Sequence, residues 1–383
     1  MILISMRRLF GLIILAALGY QSQAQLTVDI NMSPTQMAQN LVGEGVDIFN
    51  VQVTAADSSY GYYYSTNTEI GTSEGILLST GKAINAIGPN DETGLPQIDS
   101  QGNCVTCDEY DNNFAGNPLL SLANGGLNTW DACLFEFDIV PQGDSLKFDF
   151  IFGSEEYLEW VGSPFNDVFG FFISGPGVGV DVNIALIPGT STPVAINTVN
   201  NISNTAYFYN NQNPLGQGVQ FDGFTQNLKA LVGSLTPCET YHLKLIIADG
   251  SDRIYDSGVF ISRIESNPVT ILTSTAGGVD YMIEGCNDGL VTFESSFIPT
   301  TPFDVIFTIG GDAEMGVDYT TDPDLDPFYN SVDSTYTLTI LPGDSTVSFD
   351  INTIFDNIDE GSEYVVITLL EQLCDTILFN SQV

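Results

Sequence analysis

The chain has 383 residues, with 8 Lys and Arg against 48 Asp and Glu and a formal net charge of −40. That charge repels phosphate backbones and anionic lipid, which excludes nucleic-acid binding as a function class. Hydrophobic residues make up 43% of the chain, with 24 Phe and 16 Tyr, enough for a real core and not the composition of a disordered acidic tail.

In chain order, the first predicted element is an export signal. Arg7 and Arg8 form a charged segment, Leu9 to Leu18 an apolar run, and Gln21-Ser22-Gln23-Ala24 a small-residue cleavage site, so the mature chain is expected to begin at Gln25. Met6 is an alternative start. The apolar run is too short for a membrane anchor, which needs roughly 20 residues, and no later segment is long and apolar enough to cross. No membrane insertion is expected. One helix is signalled next: Ser33-Pro34-Thr35-Gln36 reads as a capping box with proline at the first helical position. Met37, Leu41 and Val42 recur at helical spacing, and Gly43 supplies the stop.

Beyond the helix the pattern has period two or consists of short apolar runs bounded by Gly, Pro and Asn/Asp turns. These runs are Ile76 to Ser79, Leu134 to Ile139, Leu146 to Phe152, Val168 to Ile173, Val182 to Ile187, Tyr241 to Ala248 and Val259 to Ile264. Ser266-Asn267-Pro268 reads as the start of a linker. A shorter unit follows, with strands expected at Leu290 to Glu294, Asp304 to Ile309, Thr335 to Ile340, Thr346 to Ile351 and Glu363 to Leu369. The expected fold class is all-β: two β-sandwich modules in tandem, residues 25–265 and 266–383, with one short helix near residues 34–42. Because the sequence stops at Phe379 to Val383 in strand-like residues, the second module is expected to be incomplete.

Two acidic constellations lie in the first module. Glu155, Glu156, Asn166 and Asp167 sit in SEEY…FND, and Asp249, Asp252 and Asp256 in IADGSDRIYDSG. Ca²⁺ takes about six to eight oxygens from carboxylates, amides and carbonyls, and carboxylates crowded without a cation raise one another's pKa. Both sets are therefore candidate Ca²⁺ ligands; the alternative is a solvated acidic loop, with Arg253 partly neutralising the second set. An enzymatic reading uses Glu156 and Asp167 as acid and nucleophile on a glycoside. A Ser/His/Asp triad would rest on His242 alone, which reads as a half-buried strand residue. The aromatic runs Tyr60 to Tyr64 and Tyr207 to Tyr209 read as core or edge strand, with sugar stacking as the alternative. All six cysteines follow the signal, so disulfides are expected. Cys286 with Cys374 is the favoured pair, and a bridge suits Cys104-x-x-Cys107 better than zinc, since no second CxxC exists.

Five ordered blocks resemble the choice-of-anchor L family: GILLSTGKA (Gly75 to Ala83), WDACLFEF…FFISGPG (Trp130 to Gly177), NIALIPGTSTPVAINTVN (Asn183 to Asn200), FDGFT (Phe221 to Thr225) and PCETYHLKLIIADGSDRIYDSGVFI (Pro237 to Ile261). The resemblance implies a secreted bacterial cell-surface protein, attached through a region absent from this sequence, and it names no ligand. The second module is similar to Calx-beta domains through YMIEGCNDGLVTFE (Tyr281 to Glu294), GVDYT (Gly316 to Thr320) and the stretch from Thr337 to Leu370. That similarity implies Ca²⁺ ligands at Glu284, Asp318, Asp356 and Glu360, with Asn357 standing where the pattern has a second Asp. The expected function is Ca²⁺-stabilised adhesion to a glycan or surface protein without catalysis. The alternatives are a carbohydrate-active module and a structural stalk.

Overall fold

The computed structural model describes residues 25–43, 45–90, 110–212, 216–266, 268–276, 278, 281–299, 301–355, 361–373 and 376–382. The expected signal peptide, Cys104, Cys107, Asp356, Glu360 and Cys374 lie outside them. In the first unit the strands are β1 (Gln25–Asp29), β2 (Val46–Thr54), β3 (Tyr60–Thr66), β4 (Glu74–Ser79), β5 (Thr129–Pro141), β6 (Leu146–Ser154), β7 (Val168–Gly175) and β8 (Gly179–Asn183). They continue with β9 (Phe208–Asn210), β10 (Gly223–Thr225), β11 (Leu228–Val232), β12 (Tyr241–Gly250) and β13 (Ser257–Glu265). Among the described residues the unit also has two α-helices, α1 (Pro34–Leu41) and α2 (Pro118–Ala123).

One sheet runs β1-β3-β4-β13-β6-β10-β9, with β11 also on β6; the second runs β2-β5-β12-β7-β8. Alternation decides how they pack. Phe148, Phe150 and Phe152 of β6 face Phe169, Phe171 and Ile173 of β7 in a shared core with Phe135 and Phe137 of β5. Phe148 stacks on Phe171 at 5.1 Å between ring centroids. The intervening residues are also apolar because each sheet's outer face is partly covered. Leu77, Ile151 and Phe260 pack against Val219, Phe221 and Phe224 on one side, and Phe172, Ile246 and Ala248 against Leu120 of α2 and Ala195 on the other. Tyr62 and Tyr63 are core, as their pattern predicts, while Tyr64 is exposed.

Helix α1 has the expected capping box: the Ser33 hydroxyl accepts from Gln36 N at 3.3 Å, and Gln36 Oε1 accepts from Ser33 N at 3.3 Å. Ser33→Ala is expected to cost about 1 kcal/mol of stability, read by chemical denaturation; an unchanged midpoint would show that tertiary packing alone holds the helix. The second helix is an addition to the sequence reading. It is capped by the Asn117 side chain, which accepts from Leu119 N at 2.9 Å. Expected strand 182–187 is shorter than anticipated, since β8 ends at Asn183. Cys133 is a buried free thiol and Cys286 an exposed one. The expected Cys286–Cys374 bridge is therefore not formed, Cys286 standing instead in the turn closed by the Ile283–Asn287 bridge.

The second unit contains β14 (Val269–Thr275), β15 (Gly289–Ser295), β16 (Phe303–Gly311), β17 (Tyr319–Asp322), β18 (Tyr329–Asn330), β19 (Thr335–Ile340), β20 (Thr346–Thr353), β21 (Val365–Leu373) and β22 (Thr376–Gln382). Sheets β14-β15-β20-β17 and β18-β19-β16-β21-β22 enclose its core. Phe293 meets Phe307 there at 4.7 Å, and Phe307 stacks on Phe349 at 5.7 Å.

Candidate functional site

The central strands of the first unit end together. Ser257 pairs with Ser154, Gly258 with Ser79, Ala248 with Val168 and Asp249 with Trp130. The ends of β4, β6 and β12 and the starts of β5, β7 and β13 thus share one end of the sandwich, and carboxylates crown it. Asp131, Glu156 and Asp167 are each 1% exposed, Asp249 2% and Asp256 5%.

A bulge positions the first of these. Between the pairs Ile247–Cys133 and Asp249–Trp130, two residues of β5 oppose one of β12. Asp131 occupies this bulge with φ 46, a conformation that Asp tolerates better than most side chains. Its Oδ1 accepts from Phe114 N at 2.5 Å. Asp167, at the start of β7, ties the two sheets together. Its Oδ1 accepts from Gly250 N at 2.8 Å, and its Oδ2 accepts from the Ser257 hydroxyl at 2.6 Å. Glu156 Oε2 accepts from Asp167 N at 3.5 Å, and Asp256 Oδ2 from Tyr110 N at 3.0 Å.

Burial in such company disfavours the charged form. It pushes the Asp167 carboxyl up to about 7, with Asp252 adding to the rise, against the Ser257 and Gly250 donors that oppose it. Glu156 is held well above the usual carboxylate range by burial, then by the Asp167 charge. Asp249 is raised likewise, by burial first and then by Asp167, Asp256 and Asp131, with the Thr80 hydroxyl opposing. Asp131 rises to about 6 through burial and Asp111. Arg253 is the cation set against this end: its guanidinium lies 3.0 Å from Asp111 Oδ1, 3.8 Å from Asp131 Oδ1 and 4.7 Å above the Trp130 ring. Asp249 Oδ1 and Asp131 Oδ2 are buried without a hydrogen-bond partner.

The structure thus brings Glu156, Asp167, Asp249, Asp252 and Asp256 together from two stretches of sequence. Glu155 is half-buried in the turn after β6, where its N–H donates to Asp256 O at 3.0 Å. The Asn166 side chain bonds to Asn124 Oδ1 at 2.8 Å and to Asn197 N at 2.9 Å, which holds the α2 end and the 197 loop in place. Asp131 and Asp111 were missing from the sequence reading. The available signal was a charged residue following Trp130 at the head of an apolar strand. Among the described residues, no group of three His, Cys, Asp or Glu side chains stands close enough to hold a metal ion. His242 lies on a sheet face between Asp138 at 2.8 Å and Glu136 at 3.1 Å; Ser174, its cross-strand partner, accepts from Asp181 N at 2.8 Å.

In the second unit, Glu284 and Asp318 flank the end of β20. Gly285 N donates to Thr353 Oγ1 at 3.2 Å, and Ile354 N to Asp318 O at 2.8 Å. Asp288 and Asp312 join them at that end, accepting from Thr353 N at 3.1 Å and Tyr364 N at 2.6 Å.

The profile of the Choice-of-anchor L domain matches residues 27–266. No curated protein matches the chain. Among solved structures, a GH2 beta-galacturonidase from Eisenbergiella tayi is similar at 8% identity and TM-score 0.23, covering 90% of this chain and 44% of that one. The beta-glucuronidase of Ruminococcus gnavus is similar at 10% identity and TM-score 0.21, covering 94% and 44%. A yeast delta-COP-I mu-homology domain is similar at 12% identity and TM-score 0.18, covering 67% and 81%. The chain spans under half the length of either glycosidase, and scores this low carry no inference about its activity.

Proposed function

The chain belongs to the choice-of-anchor L domain family through residues 27–266, a surface-anchored or extracellular kind of protein, and on that premise we propose that it is a secreted, Ca²⁺-stabilised adhesion or ligand-binding protein without catalytic activity. One observation carries the proposal: five carboxylates, each no more than 5% exposed, are gathered at one end of the first sandwich. A buried negative cluster of this kind is relieved by protons or by a cation. Outside the cell the hard cation at hand is Ca²⁺, which takes carboxylate oxygens in flexible geometry. The partnerless oxygens of Asp249 and Asp131 are donors that such an ion would use. Glu156, Asp167, Asp252 and Asp256 supply further charge, and side-chain rearrangement is needed for any three to converge on an ion. Bound there, the ion supplies charge neutralisation that fixes the sheet ends.

The same burial speaks against the glycosidase alternative. Glu156 and Asp167 are each 1% exposed, so a sugar ring reaches neither without opening the sandwich. For the second unit, a Calx-beta-like site at Glu284, Asp318, Asp356 and Glu360 is favoured by the placement of Glu284 and Asp318 beside the end of β20. A spacer role is the alternative.

The test is a thermal melt of residues 25–383 in chelator, in Ca²⁺, in Mg²⁺ and in matched NaCl. Ca²⁺ at about 100 times its Kd stabilises by about 2.7 kcal/mol, or roughly 5–10 °C for domains of this size. Equal small shifts in all three salts would sink the Ca²⁺ reading, because they would report screening of the net charge alone.

A further inference from the structure

At the opposite end of the first sandwich lies a cavity of 560 Å³. It opens between the C-terminus of α1, the turn from β3 to β4, and the end of the sheet where β13 finishes and β6 begins. Strand β4 passes from Glu74 at this cavity to Ser79 at the carboxylate cluster, a separation of roughly 17 Å along the strand. Neither site borders the other.

The recess is built by three backbone features. First, Ser262 and Arg263 both line it, although consecutive residues of a regular strand point to opposite faces. They can do so because β13 carries a bulge between Ser262 and Ile264, with Arg263 at φ 32. Second, a Cβ on Gly43 would stand 2.9 Å from Arg263 Cγ, so the helix exit leaves room for that side chain. Third, a Cβ on Gly75 would meet Ile261 O at 1.9 Å; glycine lets the strand close the wall there without filling the recess.

The polar groups are also held in place. Arg263 Nε contacts Glu265 Oε1 at 2.6 Å, and Lys229 Nζ lies 3.4 Å from Asp149 Oδ1. The lining therefore offers two carboxylates (Glu74 and Asp149), two amides (Asn40 and Asn227) and the Arg263 guanidinium, with an apolar wall limited to Leu41, Val42 and the Tyr62 ring.

This chemistry selects a ligand class. An apolar molecule finds too little surface to bury. An anion meets two carboxylates within a chain of net charge −40. Ring hydroxyls, which donate and accept at once, match acceptors and donors set side by side. We propose that this cavity binds a neutral saccharide unit, with Glu74 and Asp149 accepting from ring hydroxyls and Asn40, Asn227 and Arg263 donating to them. The inference rests on the reading of the module as a binder and is independent of Ca²⁺.

The experiment is calorimetric titration of residues 25–383 with neutral gluco-, manno-, galacto-, xylo- and N-acetylglucosamine oligosaccharides. Oligogalacturonate and spermidine serve as charged controls. At least one neutral probe is expected to bind with Kd below about 1 mM. Asp149→Asn and Glu74→Gln are each expected to weaken that probe about tenfold, and Glu239→Gln, exposed and outside both sites, to leave it unchanged. Glu74 is exposed, so its variant keeps the fold even if Asp149→Asn does not. The proposal is overturned if no neutral probe binds below that ceiling, if Glu74→Gln and Asp149→Asn leave its affinity unchanged, or if spermidine or oligogalacturonate binds more tightly. Melts of the same samples with and without Ca²⁺ keep the two readings apart. A failed titration beside an intact Ca²⁺ gain removes the saccharide site and leaves the Ca²⁺-stabilised module standing.

Discussion

In chelator, the protein is expected to melt at a lower temperature at pH 8 than at pH 5, the reverse of what salt-bridged carboxylates produce. The sign follows from Asp167. Its carboxyl titrates near 7 in the folded protein and near an ordinary value of about 3.9 when unfolded. A group raised in this way binds its proton more tightly when folded, so its stabilisation is complete below the unfolded pKa and is lost as pH climbs through the folded one. For Asp167 alone the loss is about 3 kcal/mol between pH 4 and 7. Glu156 and Asp249 are shifted in the same direction, and Asp131 rises to about 6. Asp138 and Asp111 pull the other way. Burial raises both, but Asn50 and His242 outweigh it for Asp138, and Asn113 N–H and Arg253 for Asp111; both groups are exposed enough for solvent to mute the effect. Ca²⁺ should flatten the profile, because the cation takes over the neutralising role of the protons. Melting curves at pH 5, 6, 7 and 8 in chelator and in Ca²⁺ decide the matter. A melting temperature that rises steadily with pH in chelator would mean that these carboxylates are solvated.

Much of the fold was legible because its signals are local. The run Phe148, Phe150, Phe152 alternates with period two, and Ser33-Pro34-Thr35-Gln36 states a helix start in four residues. Apolar residues on both faces of β6 and β7 were visible as well, though not what covers the outer faces. The Val219–Phe224 segment and α2 arrive from far along the chain. Asn117-Pro118 is a local signal for α2 that a search for longer helices passes over. The candidate site was legible only in halves. SEEY…FND and IADGSDRIYD each looked acidic, but the contact joining Asp167 to Ser257 spans 90 residues. It exists only because β7 and β13, on two different sheets, start at the same end of the sandwich. Asp131 needed a bulge to bring it into the cluster, and the cavity at the other end needed a second bulge at Arg263. Bulges are set by strand register, which composition and spacing do not report.

Asp167→Ala and Asp167→Asn are expected to diverge, and the divergence separates the structural role of this residue from its charge. Alanine removes both acceptors of the tie between the sheets. The Gly250 N–H and the Ser257 hydroxyl, which donate to the carboxylate at 2.8 and 2.6 Å, are then left at a buried position with nothing to receive them. A buried donor without a partner costs about 1–3 kcal/mol, and the backbone N–H cannot turn away as the hydroxyl can. The variant should therefore lose about 2–5 kcal/mol, seen as a melting temperature lower by roughly 5–15 °C. Asparagine keeps an oxygen for Gly250 N and offers an amide N–H to Ser257, whose hydroxyl can rotate to accept. It also removes the negative charge that burial and Asp252 disfavour. In chelator at pH 8 it should be at least as stable as the parent, which has lost its proton there, and its melting should no longer fall so steeply between pH 5 and pH 8. The stabilisation by Ca²⁺ should shrink in both variants, since each removes one charge from the cluster. If asparagine proved as damaging as alanine, the buried charge would be an asset to the metal-free fold, and the pressure for a cation at this end of the sandwich would disappear. If alanine proved harmless, the contact from Asp167 to Gly250 and Ser257 would not be what holds the two sheets together here.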